Sequence, residues 1–361
     1  HKDHPYYKDH SDWFGGITLP DGSLNIRKWD GETRLTTWFD DFLPSFNYAL
    51  SPAATAAVVD DAVWWMEEYD LDGFRQDAVK HVPHSFWRKL TKRIKTNFPD
   101  KNIYQIGETF GSDDLIGSYI NPSELDAQFN FSIYFNVRGL FSSESTDFSS
   151  IRDVINKNRI SFGPIHQMGN ITSSHDQLRF AGYADGQISI GDDGTLRSFN
   201  DMVSAIKNKT TYSKLANFHA FNISQPGIPI IYYGEEIALM GEGDPGNRRM
   251  MRFDLNDNEE KLRFQFSQLN KLRTTHSALA LGDQLILKNE GTILVLLKIY
   301  YDHSVLVIIN NGSNKETVPV TLPFEPKQIT SLIKSTEFKK NGPTLIFNTE
   351  PWSHYFYAIQ N

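Results

Sequence analysis

The chain has 361 residues, a formal net charge of −8 and no cysteine. This length exceeds one compact core of ordinary size, so two or more domains are expected. The acidic balance, without any basic block, argues against nucleic acid as the main partner, and an uncharged partner such as a sugar fits it better. The lack of cysteine excludes disulfides and thiolate metal sites, and no apolar run reaches the length of a membrane span.

The chain opens with an irregular segment and then alternates between helix and strand patterns. Residues 1–50 are rich in His, Asp, Trp and Gly and show no sustained period. Helices are predicted over residues 51–69, 83–97, 199–224 and 259–275, the third with a lysine-rich polar face. Strands are predicted over residues 72–77, 102–108, 125–133, 167–173 and 228–233. Strands that alternate with helices are typical of parallel βαβ units.

The pattern changes after about residue 282. Runs of apolar residues at 293–297, 305–309 and 345–347 predict strands, and the pairs Asn311-Gly312 and Asn341-Gly342 are turn signals among them. This texture predicts a small antiparallel domain at the C-terminal end of the chain.

The most informative stretch is residues 73–81, which read Gly-Phe-Arg-Gln-Asp-Ala-Val-Lys-His. Its arginine and aspartate, Arg75 and Asp77, lie two positions apart at the end of a predicted strand. Residues two apart in a strand face the same side, so the guanidinium is expected to lie beside the carboxylate and keep it ionised. An ionised carboxylate with a fixed direction is what the nucleophile of a glycosidase requires.

Two further acids come after predicted strands, Glu108 in the run Ile-Gly-Glu-Thr-Phe and Asp176 in the run Ser-Ser-His-Asp. Each alone is a weak signal, because a single acid at a strand end usually caps a turn or a helix. The three acids in this order, in an alternating pattern, are far more specific. Together the three segments resemble the signature regions of glycoside hydrolase family 13, the α-amylase family. The first run is most similar to that of bacterial α-amylases, neopullulanases and cyclomaltodextrinases.

The resemblance covers nearly the whole chain and implies an α/β fold, a (β/α)8 TIM barrel followed by an antiparallel β-sandwich domain. Residues 1–50 would be the excursion after barrel strand three, residues 51–282 the barrel from helix three to helix eight, and residues 283–361 the C-terminal domain. The opening run His-Lys-Asp-His-Pro resembles the segment immediately after the family's earliest motif. Strands one to three are therefore expected to lie outside this sequence, and strands four to eight inside it.

The chemistry implied by the resemblance is hydrolysis with retention of configuration, and its roles fall on the three acids. Asp77 would be the nucleophile that attacks the anomeric carbon, and Glu108 would be the general acid and base. Asp176 would hold sugar hydroxyls. Active sites of such barrels lie at the C-terminal ends of the strands, so these acids, distant in sequence, are expected to converge only when the barrel closes.

The same resemblance gives further candidate substrate contacts, which are Arg75, Lys80, His81, Phe110, His175, Asp244 and Arg248. Lys80 and His81 would line the leaving-group side, and Phe110 would stack on a sugar ring. Asp244 and Arg248, four positions apart, would contact distal glucose units. Arg75 would orient the nucleophile, and His175 would donate to a sugar hydroxyl. The structural alternatives are a solvated loop for the first pair, core packing for the phenylalanine and an exposed ion-paired turn for the last pair.

The resemblance implies that the chemistry needs no cofactor. A structural calcium ion is a further expectation, but its usual asparagine ligand would lie outside this sequence, so the metal ligands stay unknown. A signal region and additional N-terminal modules would also lie outside it. A secreted, periplasmic or surface-attached location is expected, with a cytoplasmic location as the alternative.

The implied function is cleavage of α-1,4-glucosidic bonds in starch, maltooligosaccharides or related glucans. Two alternatives stay open. In a transglycosylase of the same family, a sugar hydroxyl replaces water as the acceptor, and the ratio of transfer to hydrolysis products separates the two. In a carbohydrate-binding homologue, inactive as this fragment, the fold persists without the chemistry. Such homologues usually lack one of the acids, whereas all three are present here.

Overall fold

The structure is a computed structural model that describes residues 1–360. The chain divides into two compact units, residues 1–129 and residues 130–361. The domain boundaries predicted near residues 50 and 282 fall inside these units and stay predictions. Residues 1–50 contain a short helix and isolated β-bridges, in agreement with the irregular segment expected from the sequence.

The first unit is built around a parallel sheet with strand order β1-β2-β3. Its strands are β1 (Gly73–Gln76), β2 (Tyr104–Gly107) and β3 (Ala127–Gln128). Its helices are α1 (Pro5–Asp9), α2 (Pro52–Tyr69), α3 (His84–Asn97) and α4 (Asp113–Ser118). The predicted alternation of helices with parallel strands is confirmed in this unit.

Local sequence explains how α2 and α3 form and pack. The Ser51 hydroxyl accepts a hydrogen bond from the Ala54 amide at 3.3 Å, and a proline follows at the first helical position. In α3, Phe86, Leu90 and Ile94 recur at helical spacing, and all three are buried in one core cluster with residues of α2. This packing joins the two helices through one apolar core.

The strand predicted over residues 125–133 is wrong in its second half. Pairing with β2 covers only Ala127 and Gln128, and a helix begins at Phe131. The cause is Asn130, whose side chain accepts a hydrogen bond from the Ile133 amide at 3.2 Å and so caps the helix.

The second unit combines further βα elements with two antiparallel sheets. Its helices are α5 (Phe131–Ser142), α6 (Ile151–Phe162), α7 (Phe180–Ala184), α8 (Gly194–Asn200), α9 (Thr210–Ser224), α10 (Asp257–Thr275) and α11 (Ser277–Leu281). Strands β4 (Gly169–Ile171) and β5 (Ile228–Ile230) pair in parallel. The antiparallel strands are β6 (Asp283–Glu290), β7 (Ile293–Tyr300), β8 (His303–Asn310), β9 (Glu316–Thr321), β10 (Gln328–Ser331), β11 (Phe338–Asn341), β12 (Thr344–Thr349) and β13 (Ser353–Gln360).

The antiparallel strands form a β-sandwich, as the sequence predicts. One sheet has the order β10-β13-β8-β7-β6 and the other the order β11-β12-β9. Their facing sides share a single apolar core that includes Val295 and Leu306 from the larger sheet and Phe347 from the smaller one. The predicted turn at Asn341-Gly342 joins β11 to β12, with Gly342 in the left-handed region at φ 57°.

The helix predicted over residues 199–224 is wrong in its extent and in its polar face. Two helices occupy the region, and the second, α9, is buried along almost all of its length. The Lys214 ammonium, expected in solvent, donates to the carbonyls of Ser142 at 3.0 Å and Ala184 at 3.1 Å. Neighbouring elements of the second unit surround α9, and sequence periodicity cannot anticipate that environment.

The close approach of β1 and β2 generates a prediction. An added Cβ at Gly73 would overlap the backbone carbonyl of Tyr104, so Gly73→Ala must move a strand. We expect Gly73→Ala to lower the free energy of unfolding by about 1–3 kcal/mol in urea titrations. The control is Gly16→Ala, whose Cβ would meet the Thr18 carbonyl at an ordinary 3.5 Å. Equal unfolding midpoints for the two variants would contradict the proposed strand contact.

Candidate active site

The parallel pairing of β1 with β2 brings two of the predicted acids together. Gln76 is opposite Gly107 at the end of the ladder, and the Glu108 amide donates to the Gln76 carbonyl at 2.9 Å. The next residue of each strand is an acid, so Asp77 and Glu108 leave the sheet at neighbouring positions. Paired strands lie about 4.8 Å apart, which fixes the scale of the separation between the two backbones.

The Glu108 carboxyl group is held by the turn that comes after β1. The side chain is buried, and its Oε2 accepts a hydrogen bond from the Ala78 amide at 3.2 Å. The Val79 amide donates to the Glu108 carbonyl at 2.9 Å. Ala78 adopts the left-handed region at φ 48°, which is uncommon for a residue with a Cβ and turns the chain back toward Glu108. The backbone of the first acid's loop therefore positions the second acid.

Asp77 is oriented by Arg75, as the sequence predicts. The Arg75 guanidinium forms an ion pair with the Asp77 carboxylate, and the same guanidinium lies 5.9 Å from the centre of the Phe129 ring. The Asp77 side chain is 75% exposed, whereas that of Arg75 is 29% exposed. A fixed cation thus directs a carboxylate that solvent or a substrate can reach.

Lys80 and His81 lie in a short 3-10 turn that forms hydrogen bonds with the irregular segment, residues 1–50. The Arg34 Nε donates to the Lys80 carbonyl at 3.0 Å, and the His81 Nδ1 lies 2.9 Å from the Arg34 carbonyl oxygen. The His81 ring contacts Trp29 and Phe39 edge-on, with centroids 5.3 Å and 5.1 Å away. Burial lowers the pKa of His81 from its usual value, so the ring is neutral at pH 7.

The aromatic pair beside His81 is not predicted by the sequence. Trp29 and Phe39 contact each other with ring centroids 5.0 Å apart, and they are 36% and 38% exposed. No spacing in the irregular segment marks these two aromatics among the many in the chain. Phe110, the predicted stacking residue for a sugar ring, is partly exposed shortly after β2, and that role stays a prediction.

In the second unit the remaining candidates form one charged cluster. The Asp176 carboxylate contacts the Arg248 Nη2 at 3.0 Å and the His175 Nε2 at 3.0 Å. Arg248 also contacts Asp244 at 3.3 Å, so the pair predicted from its spacing is joined by an ion pair. All four side chains are partly exposed. The exposed ion-paired turn was the structural alternative for Asp244 and Arg248, and the pairing itself leaves a sugar-binding role open.

Buried polar residues hold this cluster in place. The Asn247 amide group donates to the carbonyls of His175 at 2.8 Å and Gln177 at 2.9 Å. The buried Arg179 donates through Nε to the Asn247 carbonyl at 2.9 Å and stacks on Tyr232, with its guanidinium carbon 4.5 Å from the ring centre. Sequence reasoning missed Asn247 and Arg179, because nothing in their spacing indicates that a polar side chain will be buried.

Glu235 is buried beside this network. Its Oε1 accepts a hydrogen bond from the Ser173 hydroxyl at 2.7 Å and lies 3.8 Å from Arg179 Nη1. Burial raises the pKa of Glu235 to about 7, against the lowering effect of the Arg179 charge. These contacts favour a structural role for this acid.

Within residues 1–360, no group of three or more histidine or acidic side chains is placed to hold a metal ion, and the calcium expectation stays a prediction. None of the helices in this part of the chain is both long enough and apolar enough to cross a membrane.

Residues 27–277 match the family model of the α-amylase catalytic domain. The chain belongs to the α-amylase family. It is 24% identical to a cyclomaltodextrinase of Geobacillus thermopakistaniensis over 98% of this chain and 55% of that protein. It is 25% identical to a maltogenic α-amylase of Bacillus acidopullulyticus, over 86% of this chain and 49% of that protein. The chain spans about half the length of these curated relatives.

Solved structures give the same family fold. An Anoxybacillus α-amylase superposes with a TM-score of 0.83 at 24% identity, over 99% of this chain and 73% of that one. The α-amylase from Geobacillus thermoleovorans, solved with acarbose, gives a TM-score of 0.82 at 24% identity, over 99% of this chain and 74% of that one. The chain therefore has the α-amylase fold, a (β/α)8 barrel architecture with a C-terminal antiparallel domain.

The buried Glu235 generates a prediction about pH. Its folded pKa of about 7 lies above its usual 4.5, so between these values the folded protein holds a proton that the unfolded chain releases. The stability contributed by this group is complete below pH 4.5 and is lost as the pH rises through 7. The glutamine of Glu235→Gln stays neutral at every pH. We therefore expect the free energy of unfolding of this variant to rise relative to that of the parent as the pH increases from 5 to 8.

The measurement is urea unfolding at several pH values in this range. The control is Glu260→Gln on α10, which replaces a half-exposed carboxylate and is expected to run parallel to the parent. A Glu235→Gln curve that also runs parallel would show that the carboxyl is ionised throughout.

Proposed function

We propose that this chain is the catalytic part of a retaining α-glucan hydrolase. The observation that carries the proposal is the placement of Asp77 and Glu108 at adjacent ends of two parallel strands, in a chain of the α-amylase family. Retaining glycosidases need two carboxyl groups about 5–5.5 Å apart, and acids on neighbouring backbones about 4.8 Å apart can meet that requirement. The names of the relatives, cyclomaltodextrinase and maltogenic α-amylase, support α-linked glucans as the substrate class.

In this mechanism Asp77 attacks the anomeric carbon and forms a covalent glycosyl-enzyme, while Glu108 gives a proton to the departing glycosidic oxygen. Glu108 then takes a proton from water, and the resulting nucleophile releases the sugar with its configuration retained. The Arg75 ion pair supports the first role, because it fixes the direction of the attacking carboxylate. The bond from the Ala78 amide supports the second, because it restrains the carboxyl that must transfer the proton.

The other site residues receive binding roles in the proposal. Lys80 and His81 would contact the leaving group, and Phe110 would stack on a glucose ring. In the second unit, Asp176 with His175 would bind sugar hydroxyls. Asp244 and Arg248 would contact more distant glucose units.

Finer features of the family are proposed with it. The strands β1 to β5 would be barrel strands four to eight, with strands one to three outside this sequence. No cofactor would take part in the chemistry, and a structural calcium ion would have its asparagine ligand outside this sequence. An extracytoplasmic location is proposed, with a cytoplasmic one as the alternative.

Transglycosylation is a second candidate that one observation favours. Trp29 and Phe39 expose aromatic surface beside His81, and such surface can hold a sugar acceptor in competition with water. Product analysis at high maltooligosaccharide concentration separates the two activities, because transfer yields products longer than the substrate. An inactive carbohydrate-binding homologue is the third reading, and it predicts binding without any turnover.

The proposal predicts that Asp77→Asn lowers the turnover of maltooligosaccharides by about a thousandfold or more, because the covalent intermediate cannot form. Folding is expected to persist, since the side chain is largely exposed. The control is Asp72→Asn, which replaces an exposed acid just before β1 and should keep full activity. Turnover by Asp77→Asn within tenfold of the parent would contradict the nucleophile assignment.

Glu108→Gln is expected to separate substrates by their leaving groups. Turnover of maltooligosaccharides should fall by about a hundredfold or more, whereas α-glucosyl fluoride, whose leaving group needs no proton, should retain most of its glycosylation rate. Single-turnover kinetics with both substrates measure the difference. Equal losses on the two substrates would show that this residue is not the proton donor.

A further inference from the structure

A cavity of about 410 Å³ lies in the second unit, beside the ends of four strands of the larger antiparallel sheet. The register places one polar side chain from each strand in a single row. Tyr300 on β7 is opposite His303 on β8, His303 is opposite Gln360 on β13, and Gln360 is opposite Gln328 on β10. Residues directly opposite one another share a face of the sheet, so all four line the same cavity.

The next row and the neighbouring helices complete the cavity. Val305, Ala358 and Thr330 are paired across three strands and form an apolar floor with a hydroxyl at one end. The wall is the junction between α10 and α11, which contributes His276 and Ser277. His276 occupies the N-cap position of α11 but makes no side-chain capping bond. Its imidazole is therefore not engaged by the helix end.

The described lining residues include no carboxylate, lysine or arginine. Burial and the neighbouring His303 lower the pKa of His276 from its usual value, so its ring is uncharged at neutral pH. The lining thus offers amides, hydroxyls, imidazoles and a tyrosine ring, and the Asp302 carboxylate lies outside the lining at 3.5 Å from the His303 Nε2. Neutral donors and acceptors beside an aromatic ring suit an uncharged ligand that carries many hydroxyl groups.

We propose that this cavity is a second carbohydrate site that binds one or two glucose units of an α-glucan. Its volume is in the range of small-molecule sites, and its residues include none of the candidate catalytic residues. The ligand class rests on the proposed function, because a glucan substrate is the sugar that the protein would meet. A second contact with the same polymer raises the effective concentration of its other segments, so polymers should gain more than short substrates.

The test is an NMR titration of the Asp77→Asn chain with maltose, with the histidine imidazole signals labelled. Asp77→Asn prevents turnover during the measurement. The signals of His276 and His303, assigned by single His→Gln substitutions, are expected to shift saturably.

In the double variant Gln328→Ala and Gln360→Ala, the affinity for maltose should fall at least tenfold. The control is Thr317→Ala with Asn348→Ala, a hydrogen-bonded polar pair on the surface of the same β-sandwich that is outside the cavity lining.

In the chain with Asp77 intact, the double variant should raise the KM for soluble starch several-fold while kcat and the KM for a nitrophenyl maltoside stay unchanged. Histidine signals that do not respond to maltose, or equal affinity in the double variant and the parent, would overturn the proposal. Equal binding of cellobiose would overturn the assignment to α-glucans.

The two proposals fail separately. If the chain hydrolyses starch but the histidine signals do not respond to maltose, the proposed sugar site is wrong and the proposed hydrolase function stands. If the histidine signals respond to maltose but the chain cleaves no glucan, the proposed sugar site stands and the proposed hydrolase function is wrong.

Discussion

The candidate active site of the first unit depends on the register of β1 against β2. Because Gln76 pairs with Gly107, the two acids that come next leave the sheet side by side. A slip of one residue would turn either acid to the opposite face. The close backbone contact at Gly73 restricts such a slip, and the hydrogen bonds from the amides of Ala78 and Val79 to Glu108 stabilise the observed register.

In both units, polar side chains bonded to main-chain oxygens hold the loops that carry the candidate site residues. Arg34 grips the turn of Lys80 and His81 through main-chain oxygens, and Asn247 and Arg179 do the same for the loop that carries Asp176. A buried polar side chain bonded to carbonyls is costly to remove, because each carbonyl then loses its partner. The loops that carry the candidate site residues are therefore restrained through their main-chain atoms.

The parts of this arrangement that sequence could predict are those governed by local rules. The period of two placed Arg75 beside Asp77, and the Asn341-Gly342 pair marked a true turn. The prediction of a strand over residues 125–133 failed because Asn130 caps a helix within the apolar run. The lysine-rich polar face predicted within residues 199–224 failed because neighbouring elements, which no local pattern reveals, enclose Lys214, the one lysine of α9.

The contacts between residues 1–50 and His81 could not be predicted from local rules either, because they join residues more than forty positions apart in sequence. Spacing identified the acids, but only the fold could reveal Trp29 and Phe39 beside His81. Candidate residues that stand in a short motif can thus be found from the sequence, whereas aromatic contacts between distant segments cannot.

The left-handed turn at Ala78 limits which sequences can replace this one. A β-branched or bulky residue would be strained there, and even alanine gives up about 1–2 kcal/mol relative to a right-handed conformation. Glycine would relieve that strain but would free the backbone on which the Glu108 carboxyl rests. The choice of residue between Asp77 and the lysine–histidine pair is therefore restricted by a backbone dihedral angle rather than by any side-chain contact.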